Sequence, residues 1–181
     1  IGLAQRDPNQ AYEWATQLPE SEQANPMRSI LYEMSLRDPV EAVQKTMLLT
    51  DVAARDAVLS QVLSHLPATE ASTLSAILPE LTGPIRTTAA YKFVDMQTQT
   101  NPAAAASFLT EFSKTDPIIG AEITKSSLSS LLRNWSLRDP QAAVTYTLQL
   151  ADSPQKANAL NDGFRQWVGS DPTSASEYLN N

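Results

Sequence analysis

Apolar residues follow a helical period along most of this chain. In six segments an alanine stands four residues after a common start. In five of the six a large apolar or aromatic side chain stands seven residues after the start, and in five one stands eleven residues after it, as with Ala11, Trp14 and Leu18. Offsets of 4, 7 and 11 lie on one face of an α-helix. No segment shows the apolar–polar alternation that is typical of a β-strand. The pattern therefore predicts an all-α fold. The shared alanines are Ala11, Ala42, Ala71, Ala105, Ala143 and Ala175.

A short polar signal precedes each of these stripes. Asp-Pro or Asn-Pro starts five segments, at residues 7, 38, 101, 139 and 171, and a weaker copy begins at Pro67. Asp and Asn side chains accept hydrogen bonds from the free N–H groups of a first helical turn, and proline suits the next position. The string SLRDP occurs twice, at 35–39 and 136–140. Its arginine, with Arg6 in the first copy, is expected to stabilise the negative end of the preceding helix.

A second amphipathic segment follows each of the first five starts, for example at residues 55–63. Pro19 and Pro79 stand at matching positions and are expected to end first helices. The sequence therefore predicts about five helix–turn–helix repeats in one domain spanning residues 1–181. The sixth copy, from Asp171, contains only a first helix. This suggests that the chain belongs to a longer protein or that another molecule supplies the next helix.

The first repeat resembles a known family. Its string Asp7-Pro8-Asn9-Gln10-Ala11-Tyr12-Glu13-Trp14 is similar to the DPNNAEAW string of tetratricopeptide repeats, with Ala and Trp in register. Repeats of that family stack antiparallel helix pairs into a right-handed α–α superhelix, an open solenoid. The resemblance implies a divergent tetratricopeptide-like solenoid that acts as a protein- or peptide-binding scaffold.

The same resemblance implies where a partner would bind. In that family the first helices line a concave groove, and its register places groove residues at offsets such as 5 and 8. Here those positions carry small, apolar or uncharged side chains, which favour an extended or helical segment held by apolar and hydroxyl contacts. The alternative is that these side chains pack against each other. The predicted groove residues are Tyr12, Val43, Thr46, Leu109, Val144 and Thr147.

Composition narrows the classes of partner and chemistry. The net charge of −7 argues against nucleic acid and against an anionic membrane surface. The chain has no cysteine and one histidine, His65, so no thiolate or histidine-rich metal site is expected. No segment is long and apolar enough for a membrane span. We therefore expect no metal, no cofactor and no enzymatic activity.

Several residues could still carry chemistry, and each has a simpler interpretation. His65 is interpreted as a helix-end or surface residue, and the serine cluster at 126–130 as small packing residues on a solvated face. The carboxylate pairs Glu20–Glu22 and Glu111–Asp116 are interpreted as solvated charge. Ile118 and Ile119 form either an apolar contact point or a buried turn. Aromatic residues in repeat phase are predicted to form core layers: Trp14, Phe108, Trp135, Tyr146, Trp167 and Tyr178.

Two further hypotheses remain beside the binding scaffold. The chain could be a helical accessory domain of a larger envelope protein or of an enzyme whose catalytic part lies elsewhere. It could also self-associate through the apolar ends of the solenoid. The absence of cysteine and the scarcity of lysine favour an exported, periplasmic or envelope-associated bacterial protein over a cytoplasmic one.

Overall fold

The computed structural model describes residues 2–179, except for the side chain of Glu20. Over that range the chain forms α-helices and two short 3₁₀ helices and contains no strand, which confirms the all-α prediction. The α-helices are α1 (Leu3–Arg6), α2 (Pro8–Thr16), α3 (Glu20–Ser35), α4 (Pro39–Met47), α5 (Val52–His65), α6 (Ala71–Ile77), α7 (Gly83–Thr100), α8 (Pro102–Thr115), α9 (Pro117–Ser136), α10 (Pro140–Gln149), α11 (Pro154–Ser170) and α12 (Pro172–Leu179). The 3₁₀ helices, Ala68–Glu70 and Leu78–Glu80, flank α6.

The helices alternate as the sequence pattern predicts. Five pairs each consist of a first helix (α2, α4, α6, α8 or α10) and a second helix (α3, α5, α7, α9 or α11), and α12 is a sixth first helix. We number these repeats 1 to 6 from their starts at residues 7, 38, 67, 101, 139 and 171. Pro19 and Pro79 both lie just beyond the end of a first helix, as expected.

The Asp-Pro signal acts as the predicted N-terminal cap. Asp38 Oδ1 accepts a hydrogen bond from Glu41 N at 2.9 Å, and Asp139 Oδ1 accepts one from Ala142 N at 2.9 Å. Asp7, Asn101 and Asp171 form the equivalent bond three residues ahead. The weaker copy at Pro67 has no side-chain cap, and its repeat opens with a 3₁₀ turn. Each cap of this kind contributes about 1 kcal/mol to helix stability.

The longest spacing between starts, from Asn101 to Asp139, contains the longest second helix, α9, and a further Asp-Pro pair. Asp116-Pro117 is one more cap of the same kind, and Asp116 Oδ1 accepts from Ile119 N at 3.2 Å. It begins α9, the second helix of repeat 4, rather than an added repeat. Ile118 in this first turn is 83% exposed, whereas Ile119 is half-buried. The expected apolar contact point is therefore a single exposed side chain.

The chain divides into two compact units, Ile1–Lys92 and Phe93–Asn181, with the division inside α7. In the N-terminal unit α3 packs against α2, α4 and α5, around buried Leu31 and Leu59. In the C-terminal unit α9 packs against α8, α10 and α11, and Leu131 is fully buried on its inner face. Each unit thus contains one pair of consecutive second helices in contact, α3 with α5 and α9 with α11.

The aromatic residues follow the predicted core layers only in part. Trp167 is 1% exposed and packs with Val144 and Ala175, and Trp135 is also buried. Phe108, Tyr146 and Tyr178 are half-buried. Trp14 is 50% exposed, so its assignment to the core is wrong. In the first repeat the seventh residue after the start therefore lies at the surface.

The arginines before Asp-Pro have partners other than the ones predicted. Arg37 donates to the carbonyl oxygens of Arg6, at 3.2 Å, and of Gln5, both at the end of α1. Arg138 donates to the carbonyl oxygens of Thr100, at 2.8 Å, and of Gln99, at the end of α7. In both cases the arginine contacts the helix end that lies one repeat earlier in the chain, α1 for Arg37 and α7 for Arg138. The prediction had placed each arginine at the end of the helix directly before it, α3 or α9. We call the observed contact the arginine clamp.

Candidate functional site

Five of the six predicted groove residues lie in the core. Val43, Thr46, Leu109, Val144 and Thr147 are between 0% and 2% exposed. Side chains this deeply buried cannot contact a partner, so the structure corrects their assignment to an open groove. The sequence left open the alternative that these side chains pack against each other inside the protein. That alternative applies to these five residues.

The cause of this burial is the position of the first helices. α4 packs against both α3 and α5, and α10 packs against both α9 and α11. A helix covered on two sides buries a wide face, which includes the position after the shared alanine. The hydroxyls of Thr46 and Thr147 are satisfied within their own helices, by the carbonyl oxygens of Ala42 and Ala143 at 2.7 Å. They therefore need no polar partner from outside.

Tyr12, the sixth predicted groove residue, lies at the edge of a cleft in the N-terminal unit. The Nζ of Lys45 lies 4.4 Å from the centre of the Tyr12 ring, a cation–π contact between repeats 1 and 2. Partial burial raises the pKa of the Tyr12 hydroxyl above 10.0. The cleft has a volume of about 340 Å³ and includes Met27 and the highly exposed Leu48.

A larger cleft lies in the C-terminal unit, between the second helices α9 and α11. Its volume is about 490 Å³, within the size range of ligand pockets. α9 contributes Ser129, Leu132 and Arg133, and α11 contributes Asn158 and Asp162 among others. We call it the α9–α11 cleft. It is the larger of the two clefts described here, and we take it as the candidate site.

Three charged side chains line the α9–α11 cleft. Arg133 stands on α9, and Asp162 and Arg165 stand on α11. All three are exposed, and none forms a hydrogen bond or an ion pair with another described residue. Two guanidinium groups therefore face one cleft of a chain whose net charge is −7. This local balance favours a ligand with negative charge.

The floor of the cleft is apolar and closely packed. A Cβ atom on Gly163 would lie 3.2 Å from Val144 Cγ2 and 3.6 Å from Ser136 Oγ. Gly163 and Ser136 are both buried, so two small residues allow α11 to approach its neighbours closely. Leu132 is buried as well, whereas Leu137 is 64% exposed at the rim. The cleft thus combines an apolar floor with charged walls.

His65 and Ser35 form a partly buried polar contact in the N-terminal unit. His65 Nδ1 lies 3.1 Å from Ser35 Oγ, and its ring contacts the Tyr32 ring edge-on at 5.5 Å. Ser35 Oγ donates to the carbonyl oxygen of Tyr32 at 2.6 Å and is 1% exposed. A hydroxyl that is bonded to a carbonyl oxygen and almost fully buried is not accessible as a nucleophile.

The other candidate residues have structural partners. Glu111 pairs with Lys114 at 2.6 Å, and Asp116 caps α9. Two hydroxyls of the serine cluster, those of Ser126 and Ser130, bond to carbonyl oxygens within α9. Glu22 is exposed, and the Glu20 side chain lies outside the described part. No three His, Asp or Glu side chains of the described residues come together in a way that could hold a metal ion.

The chain matches no protein-family model, no curated protein and no solved structure. In the part that the structure describes, no helix has the length and apolar character needed to cross a membrane.

Sequence reasoning did not find the α9–α11 cleft. Its charged residues come from two helices that are separated by all of α10, and no short motif joins them. One weak signal was present, because Gly163 interrupts an otherwise good helix-forming segment. A glycine inside a helix costs stability and usually has a packing reason. Here the reason is the close approach of α11 to Val144 and Ser136.

Proposed function

We propose that this chain is a non-enzymatic helical-repeat scaffold that binds an acidic segment of a partner protein in the α9–α11 cleft. The observation that carries the proposal is the pair of guanidinium groups, Arg133 and Arg165, which line one cleft without a partner among the described residues. Guanidinium groups bind carboxylates through paired, charge-assisted hydrogen bonds. Such pairs are stronger in a partly enclosed cleft than on an open surface.

The remaining lining residues fit a peptide segment. The amides of Gln155, Asn158 and Gln166 line the same cleft and can bond to the backbone of an extended or helical chain. Leu137 at the rim offers an apolar contact. Asp162 adds one acceptor, which favours a segment that carries an N–H or a cationic group beside its acidic residues.

The proposal also includes the stacking of the helix pairs and the compartment in which the protein works. We infer that the helix pairs stack in the right-handed manner of tetratricopeptide repeats and that the protein works in a bacterial envelope compartment. The regular caps and the two arginine clamps support the repeat stacking, since they recur at equivalent positions. The Ser35 hydroxyl donates to the carbonyl oxygen of Tyr32, so the Ser35–His65 contact offers no free nucleophile. This supports a binding role for the protein rather than a catalytic one.

Selection from a random peptide library tests this proposal. Peptides enriched on the wild-type protein should carry Asp or Glu, and their affinity should fall as salt rises. The Arg133→Gln/Arg165→Gln variant should bind them at least tenfold more weakly, because each charge-assisted hydrogen bond contributes about 1.5–3 kcal/mol.

The matched control is Arg6→Gln/Arg28→Gln, which removes the same charge from two exposed arginines of the N-terminal unit. It should bind like the wild type. Enriched peptides without acidic residues, or equal binding by the Arg133→Gln/Arg165→Gln variant, would contradict the proposal.

A further inference from the structure

The two units contain equivalent pairs of second helices, α3 with α5 and α9 with α11. Corresponding positions can be read from the start of the repeat that follows α3 or α9. Three residues before that start a serine stands in both units, Ser35 and Ser136. Six residues before it stands Tyr32 in α3 but Arg133 in α9. The two pairs therefore share a serine and differ in the side chain one turn before it.

In the N-terminal unit two aromatic rings bridge the pair of helices. The Tyr32 ring of α3 meets the His65 ring of α5 edge-on, with ring centres 5.5 Å apart. Ser35 Oγ donates to the carbonyl oxygen of Tyr32 at 2.6 Å and lies 3.1 Å from His65 Nδ1. This hydroxyl, in a side chain that is 1% exposed, therefore has its polar partners within its own unit, and one of them is a ring nitrogen.

In the C-terminal unit the equivalent serine has no such partner. Ser136 is 6% exposed and lines the α9–α11 cleft, and its hydroxyl forms no hydrogen bond with a described residue. Gly169 stands two residues before the start that follows α11, as His65 does after α5, and it has no side chain that could reach α9. A polar group that is buried without a hydrogen bond is unfavourable. The Ser136 hydroxyl is therefore available to a group that enters the cleft.

We propose that the acidic segment bound in the α9–α11 cleft carries a tyrosine, whose ring enters the cleft and whose hydroxyl bonds to Ser136. The ring takes the part that the Tyr32 and His65 rings play between α3 and α5. It packs on buried Leu132 and against Arg133, since guanidinium groups stack on aromatic faces. A phenol suits a serine hydroxyl because each group can both donate and accept. It also stays neutral beside Arg133, whereas an imidazole can gain a positive charge.

This inference rests on the proposed function, because both concern the α9–α11 cleft, and a set of three blocked pentapeptides separates the two. Their sequences are Asp-Glu-Tyr-Glu-Asp, Asp-Glu-Phe-Glu-Asp and Gln-Gln-Tyr-Gln-Gln, and isothermal titration calorimetry measures their affinity for the 181-residue chain. The acidic tyrosine peptide should bind about fivefold more tightly than the phenylalanine peptide, the gain expected from one hydrogen bond. It should bind at least about tenfold more tightly than the neutral peptide, which lacks partners for the arginines.

The variant Ser136→Ala removes the hydroxyl that the tyrosine is expected to meet. It should bind the acidic tyrosine peptide no more tightly than the phenylalanine peptide, whose own affinity should match that for the wild type. Alanine is smaller than serine and forms helix better, so α9 should remain folded, as circular dichroism can verify. Ser127→Ala, the same change on α9 but away from the cleft lining, should keep the fivefold difference.

A second control addresses the charge of the cleft. Arg165→Gln should weaken both acidic peptides by a similar factor and leave the ratio of their affinities unchanged, because neither the ring nor Ser136 contact depends on it. Arg133→Gln should weaken both as well, and the tyrosine and phenylalanine peptides alike should lose the stacking partner of their ring.

The outcomes separate the two proposals. Equal binding of the two acidic peptides by the wild type, or a preference for tyrosine that survives in Ser136→Ala, would overturn the inference and leave the proposed function standing. A neutral tyrosine peptide that binds as tightly as the acidic one, and depends on Ser136, would contradict the acidic partner and keep the tyrosine site. Absence of binding by all three peptides would overturn both.

Discussion

The guanidinium of Arg138 donates a hydrogen bond to the carbonyl oxygen of Thr100 at 2.8 Å, across 38 residues of chain. Thr100 is the last residue of α7, where carbonyl groups lack intrahelical donors and the helix dipole is negative. Arg37 makes the same contact with Arg6 at the end of α1. The repeated SLRDP string therefore has two structural roles. Its aspartate begins a helix of its own repeat, and its arginine stabilises the helix end before the previous repeat.

Removal of the clamp should cost stability without loss of the fold. We expect Arg138→Ala to lower the free energy of unfolding by about 1 kcal/mol, because two carbonyl groups lose a cationic donor at a solvent-exposed site. The midpoint of urea denaturation, followed by circular dichroism, measures this change. Arg165→Ala in the same unit has no internal partner to lose and should leave the midpoint unchanged. Equal effects of the two substitutions would show that the clamp adds nothing.

The cap was predictable from sequence, whereas the clamp was not. Asp139 and Ala142 are three residues apart, so the spacing alone determines that one can cap the other. The partner of Arg138 depends on which helix end stacks beside it, and that is a property of the folded molecule. The sequence therefore indicated a cation at a helix end correctly but assigned it to the wrong helix.

The groove register failed for a related physical reason. A valine or threonine at helical spacing looks the same in sequence whether one neighbouring helix covers it or two. Val43 and Thr46 are covered because α4 packs against both α3 and α5. The tetratricopeptide register assumed an open face at these positions. Likewise, the cleft residues Arg133 and Arg165 come together only through the packing of α9 on α11.

A charge placed at Val43 distinguishes a core position from a groove position. Val43 is fully buried, so Val43→Glu should lower the free energy of unfolding by at least about 3 kcal/mol, the scale of an uncompensated buried charge. Thermal unfolding followed by circular dichroism measures this loss. Gln44→Glu, at the next position and exposed, should change stability by no more than about 0.5 kcal/mol. Were Val43 at a groove surface, both variants would fold with similar stability.

Gly120 tests how closely the two helices of repeat 4 are packed. A Cβ atom there would lie 2.6 Å from the Cα atom of Ser113 on α8, a backbone atom that cannot move aside without displacing its helix. We expect Gly120→Ala to reduce the free energy of unfolding by about 1–3 kcal/mol through overpacking. This loss should exceed the gain in helix propensity, which is at most about 1 kcal/mol.

Gly169→Ala provides the matched comparison, because nothing lies within 4 Å of the added methyl group in α11. That variant keeps the propensity gain and adds no clash, so its midpoint of thermal unfolding should equal or exceed that of the wild type. Of the two alanine substitutions, only Gly120→Ala should therefore lower the midpoint of thermal unfolding. If Gly120→Ala were as stable as Gly169→Ala, α8 and α9 would have room to separate. The close packing that positions α9 as a wall of the cleft would then not be required.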